Sequence, residues 1–178
     1  MKVRTVSYKS KNNSREFTQS LHQTGFSVLK DHPIDFQLIN SVYSEWEVFF
    51  NNQKKHDYTF DTIKQDGYFP LGTENAKGAS LSDLKEFYHF YLWGKIPNNI
   101  SDNTKELYEQ LVALTSTLLS WIQTETPSNI KSLFSMPLPD MIKDSTSHLL
   151  RIIHYPPLNG TEQMGAIRGG AHEDINSV

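Results

Sequence analysis

Apolar residues recur along the chain first with helical and later with extended spacing. From Ser14 to Thr24, Phe17 and Leu21 stand one helical turn apart, with Ser14 placed to cap the start and Gly25 to stop the helix. Phe26 to Leu29 reads as a short strand broken by the turn-forming Asp31-His32-Pro33. Between about Asp35 and Asn52, residues Phe36, Ile39, Val42, Tyr43, Trp46, Phe49 and Phe50 return at helical spacing, which predicts a long helix with an aromatic face on the core.

The stretch from Gly67 to Ser82 is rich in Gly, Pro and Ser and predicts a loop, whereas Lys85 to Leu92, carrying Phe87, Tyr88, Phe90 and Tyr91, predicts a strand. The strongest helical pattern runs from Ser101 to about Glu125, with Leu107, Leu111, Leu114, Leu118 and Ile122 on one face and Pro127 just beyond. A short helical piece near Ile130 to Phe134 precedes prolines 137 and 139. Ser147 to Tyr155 reads as a strand ended by Pro156-Pro157, and Met164 to Val178 as two strand pieces or one strand bent at Gly169-Gly170. Helices thus dominate the first two thirds and strands the end, which predicts an α+β protein: a helical cap region over residues 1–144, then the start of a β domain over 145–178.

Composition narrows the function classes. Three Trp, eight Tyr and ten Phe in 178 residues are ample for a packed core despite a mean hydropathy of -0.51. A net charge of -3 with a pI near 6.1 argues against a nucleic-acid partner. The basic residues Lys2, Arg4, Lys9, Lys11 and Arg15 read as a solvated start of the chain. The absence of cysteine excludes disulfides, thiolate ligands and a Cys nucleophile. No run approaches the roughly 18 apolar residues of a membrane span, so a cytoplasmic protein without membrane contact is the expectation.

The candidate chemistry lies in His172-Glu173-Asp174. Residues two apart on a strand project to one face, so His172 and Asp174 can present an imidazole and a carboxylate to one metal ion while Glu173 points away. Spacing alone is weak evidence, since a chain with 7 His holds about 0.4 such pairs by chance. Its context carries more weight.

Four segments resemble the isopenicillin N synthase-like family of 2-oxoglutarate/Fe(II)-dependent dioxygenases. "LHQTGFSVLKDHPID" from Leu21 is similar to the family's opening helix, Gly-Phe strand and following turn, with Pro33 where a glycine is usual. "GYFPLGTENAKGASLSDLKEF" from Gly67 is similar to its Gly-Tyr loop and Asp-Leu-Lys-Glu strand. "LLRIIHYPPL" from Leu149 is similar to the strand ending in Tyr-Pro, and "GAIRGGAHEDINSV" from Gly165 to the strand bearing the first two iron ligands.

The resemblance implies a helical cap leading into a double-stranded β-helix, or jelly roll, of which only the first strands are present. It implies Fe(II) held by His172 and Asp174, with 2-oxoglutarate and O2 as cosubstrates in the oxidation of a small molecule. Tyr155 falls on the family's Tyr-Pro tyrosine, a position that often contacts cosubstrate or substrate. Ile153 stands where a helping Asn is common. Arg168, four residues before His172, would share the ligand face on a regular strand and is a second candidate contact.

The family's second His ligand and the Arg-x-Ser pair that grips 2-oxoglutarate lie beyond Val178. The expectation is therefore a fragment inactive by itself, with uncovered strand edges that the remaining part or another chain would cover. The alternatives are an isopenicillin N synthase-like oxidase, which uses Fe(II) and O2 without 2-oxoglutarate, and a truncated, non-catalytic interaction module.

Overall fold

The structure is a computed structural model that describes residues 2–74 and 81–170. Its elements run β1 Thr5–Ser7, α1 Asn13–Thr24, β2 Val28–Lys30, α2 Phe36–Phe50, a 3-10 turn Gln53–Tyr58, β3 Gly67–Phe69 and β4 Glu86–Phe90. α3 Asn103–Glu125, the short α4 Ser128–Lys131, a 3-10 turn Leu138–Met141 and β5 Leu150–His154 follow. The chain forms two compact units, each discontinuous in sequence. One joins the chain up to Phe36 with Leu107–Ser145, and the other joins Gln37–Glu106 with the chain from Thr146 onward.

In the first unit, β1 and β2 pair in parallel with Val6 opposite Leu29, and the basic residues Lys2, Arg4, Lys9, Lys11 and Arg15 around β1 are exposed, in line with a solvated start. Val6 is fully buried, and Tyr8 and Phe17 pack their rings against Trp121 at 5.2 and 5.8 Å. The buried Ser20 hydroxyl accepts from the Arg4 N–H and donates to the Phe26 carbonyl, so α1 holds the chain on both sides of it. α1 ends as expected: Gly25 takes the left-handed conformation with φ 75° and returns its N–H to the Leu21 carbonyl. Its start differs, because the cap position is Asn12, while Ser14 lies inside the helix and donates to Glu125.

In the second unit, β3, β4 and β5 form an antiparallel sheet. Tyr68 lies opposite Tyr88 and Phe69 opposite Phe87, while Phe87 also faces Ile153 and His89 faces Arg151. The Gly-Pro-Ser composition of residues 67–82 predicts a loop throughout, yet Gly67–Phe69 is a fully buried strand, because the sheet supplies the pairing that composition cannot register.

α2 packs its aromatic stripe on one face of this sheet. Trp46 and Phe49 lie 4.8 and 5.4 Å from the Tyr88 ring, and Phe50 stacks on His154 at 5.1 Å. The stripe is rotated from the expected one: Leu38 is buried, whereas Phe36 and Tyr43 are 68% and 75% exposed. Those two residues mark the edge of an arc too wide for the sheet to cover. The buried Trp46 indole N–H donates to Thr104 Oγ1 at 2.9 Å. The Glu45 carboxylate accepts from the Ser101 N–H and hydroxyl and from the Asn103 amide, fixing where α3 begins. No helix among the described residues is long and apolar enough to cross a membrane.

Candidate functional site

Strand alternation gives the β3–β4–β5 sheet two chemically distinct faces. The face toward α2 carries Tyr68, Glu86, Tyr88 and His154; the opposite face carries Phe69, Asp83, Lys85, Phe87, His89, Arg151 and Ile153. Tyr155 follows β5 in the same alternation as Arg151 and Ile153, and it is 41% exposed. The candidate site therefore belongs to the face away from α2.

On the α2 side, Glu86 is the hub of a satisfied polar cluster. Only 4% exposed, it accepts from Lys55 Nζ at 2.8 and 3.1 Å, from the Tyr68 hydroxyl, and from His154 Nδ1 at 2.7 Å. Burial alone would raise its carboxyl pKa, but these donors outweigh burial and hold it below the ordinary carboxylate range. Burial, together with the Glu86 charge, pushes the Tyr68 phenol well up, so its proton stays and donates. His154 is thereby committed to Glu86 and to Phe50, on the side opposite Tyr155.

The other face carries a polar chain over an aromatic floor. Phe60, Phe69 and Phe87 stack nearly parallel at 4.1 and 4.6 Å, and the Arg151 guanidinium sits 4.7 Å from the Phe87 ring. His89 Nδ1 lies 2.9 Å from the Gln65 carbonyl, and Arg151 Nε donates to His89 Nε2 at 3.0 Å. Burial is the main reason the His89 imidazole pKa is lowered, and the Arg151 charge adds to it. Arg151 and Lys85 both reach Glu74, at 3.4 and 2.8 Å, and Lys85 also holds Asp83 at 2.9 Å. Burial opposes charge on Lys85, but the bonds to Glu74 and Asp83 prevail and raise its pKa. Asp83 Oδ1 in turn accepts the Gly170 N–H at 2.9 Å.

His172 and Asp174 lie outside the described residues. The two other predicted residues meet each other: Arg168 donates to the Tyr155 carbonyl at 3.4 Å and to the Pro156 carbonyl at 3.1 Å, with its guanidinium 6.0 Å from the Tyr155 ring. Arg168 does not sit on a strand, which corrects the expectation of an extended segment at 164–170. Gly165 has φ 88°, incompatible with a continuous strand, and the segment is tied instead by single bonds from the Leu84 N–H to the Ile167 carbonyl and from Gly170 to Asp83. Among the described residues, no group of three or more His, Cys, Asp or Glu is placed to hold a metal ion.

Sequence reasoning missed the Glu86 hub and the Asp83-to-Gln65 polar chain. The available signal was the charged pair Lys85-Glu86 inside an aromatic strand: adjacent strand residues face opposite ways, so each charge needed partners of its own under cover.

Residues 6–112 match the family model of the non-haem dioxygenase in morphine synthesis N-terminal region. No curated protein matches the chain. Among solved structures, a protein assigned as an oxygenase from Shewanella oneidensis is 47% identical with a TM-score of 0.86, over 99% of this chain and 62% of that one. A protein assigned to the 2OG-Fe(II) oxygenase family from Caulobacter crescentus is 25% identical with a TM-score of 0.68, over 98% of this chain and 61% of that one. A full-length Neurospora crassa protein, solved in complex with alpha-KG, shares the fold at 18% identity and a TM-score of 0.69, over 96% of this chain and 60% of that one. The chain thus spans less than two thirds of the length of these structures. With more than half of its residues inside the family model, the chain belongs to the 2-oxoglutarate/Fe(II)-dependent dioxygenase family.

Proposed function

We propose that the full-length protein is a non-haem Fe(II), 2-oxoglutarate-dependent oxygenase acting on a small molecule, with His172 and Asp174 as two of its iron ligands. The observation that carries this reading is a His-x-Asp pair that follows a glycine-rich segment tied to the start of β4, in a chain of this family. The donor chemistry fits: imidazole and carboxylate suit Fe(II), and a protein without cysteine offers no thiolate to bias the site toward zinc or iron–sulfur chemistry. Bound iron would supply the oxidising chemistry, with 2-oxoglutarate as the electron source. A jelly-roll core beginning near residue 145 would surround it.

The residues of this chain supply position and cover. The aromatic floor of Phe69 and Phe87 excludes water from the sheet face that Tyr155 extends. Arg168, holding the two carbonyls around Tyr155, orients that tyrosine and leaves its exposed ring for cosubstrate or substrate. The outward Ile153 favours a second reading, an oxidase using Fe(II) and O2 without 2-oxoglutarate, because an apolar side chain there offers no hydrogen bond to a cosubstrate carboxylate.

Full-length protein, H172A and D174A would be titrated with Co(II) and assayed for succinate formation from 2-oxoglutarate under O2. Wild type is expected to bind Co(II) stoichiometrically and to release succinate, and both variants to lose binding. Metal binding unchanged by both substitutions overturns the ligand assignment; binding without succinate at any candidate substrate favours the oxidase.

A further inference from the structure

Among the described residues, hydrogen bonds hold the segment that leads into His172 to the chain just ahead of β4. The Leu84 N–H donates to the Ile167 carbonyl at 2.8 Å, and Asp83 Oδ1 accepts the Gly170 N–H at 2.9 Å, 87 residues away in sequence. Asp83 is 4% exposed and its other oxygen is occupied by Lys85, which Glu74 also holds. A carboxylate gripped on one side by a fixed ammonium has little rotational freedom, so the acceptor aimed at Gly170 is preorganised. Gly170 stands two residues before His172.

We propose that Asp83, oriented by Lys85, is a positioning residue that fixes the backbone of the glycine-rich segment and thereby the approach of His172 and Asp174 to the metal. The inference rests on the reading of those two residues as ligands, but the tether itself is independent of it. The glycines make the segment intrinsically mobile, since each lacks the Cβ that narrows backbone choice. A buried acceptor removes that freedom at Gly170, two residues before His172. The polar chain continues through Glu74 to Arg151 and His89, so the tether is anchored in the sheet rather than in a surface loop.

The test compares full-length wild type with three variants: D83A, G170P, which deletes the N–H donor and also fixes φ at that position, and the double variant D83N/K85M, which keeps an acceptor oxygen without the ion pair. Tryptic cleavage after Arg168, followed by mass spectrometry, reads the tether. Co(II) affinity and its visible absorption spectrum read the metal site, and a thermal melt of each sample identifies folded protein. D83A and G170P are expected to accelerate the Arg168 cut several-fold and to weaken Co(II) binding by roughly tenfold with an altered spectrum. D83N/K85M, which keeps an acceptor oxygen but loses the ammonium that orients it, should fall between wild type and D83A on both readings. Wild-type cleavage and affinity in both D83A and G170P overturn the tether. A faster cut with unchanged Co(II) affinity and spectrum overturns the positioning role. Should H172A bind Co(II) as wild type does, the ligand assignment falls, while the cleavage comparison still decides the tether.

Discussion

Arg151 Nε donates to His89 Nε2 while His89 Nδ1 lies against the Gln65 carbonyl, and together these contacts fix the imidazole as the neutral Nδ1–H tautomer. A guanidinium can only donate and a carbonyl can only accept, so protonating Nε2 would set two donors against each other. With its pKa held below the ordinary 6.5 by burial first and by Arg151, His89 stays neutral when the unfolded chain begins to protonate. The stabilising contribution is present above pH 6.5 and is lost as pH falls through the folded-state value. Long-range 15N–1H correlation spectra at neutral pH should show His89 protonated at Nδ1 only; a proton on Nε2 would contradict the assignment.

Glu86 should make the second unit acid-sensitive. Its folded pKa lies below the ordinary 4.5, so its contribution is present above that value and disappears as pH falls below it. At neutral pH, Lys55→Met leaves a buried carboxylate with two of its three donor groups and should cost about 1.5–3 kcal/mol in urea unfolding. An E86Q variant should show a flatter loss of stability between pH 5 and pH 3 than wild type, in keeping with that window. Equal slopes would place the acid lability elsewhere.

Thr104→Val removes the acceptor of the buried Trp46 indole while preserving shape. The stranded N–H should lower stability by about 1–3 kcal/mol. Tryptophan fluorescence during denaturation measures this, and a midpoint unchanged from wild type would show that water replaces the hydroxyl.

Gly67→Ala tests the buried start of β3. Gly67 has φ 109°, and a Cβ there would stand 2.6 Å from the Tyr58 carbonyl oxygen, backbone that cannot swing aside. The expected loss is at least about 1–3 kcal/mol from backbone strain alone. Gly25→Ala, whose Cβ meets nothing within 4 Å, bears only the strain of its φ of 75° and should be milder. A reversed order in thermal melts would refute the steric argument.

Local chemistry made α1, α2, α3, β4 and β5 legible, because each carries its own period and its own stop, such as Gly25 or Pro127. β1 and β3 were not: three residues each, they are strands only because β2 and β4 lie beside them. The aromatic stripe of α2 was read from its helical spacing, but which arc of it is covered depends on what packs against it, and so Phe36 and Tyr43 fell outside. Tyr155 was found by resemblance and Arg168 by its spacing from His172; their mutual contact required the glycine-broken path of residues 165–170. The charged pair Lys85-Glu86 signalled a need for buried partners, but which ones was not legible, because Lys55, Tyr68 and His154 reach Glu86, and Gly170 reaches Asp83, over distances along the chain that no local pattern spans.

The interleaving of the two units also sets an order of events at the ribosome. The first unit lacks α3 beyond its opening turn until the chain has passed Glu125, and β4 waits 68 residues between the emergence of Glu86 and that of His154. During that interval β4 offers an open hydrogen-bonding edge, and the Glu86 carboxylate has Lys55 and Tyr68 but not its third donor. The nascent chain therefore passes through a stage in which β4, the fully buried central strand of its sheet, is half-paired, the interval in which a holding chaperone has the most to protect.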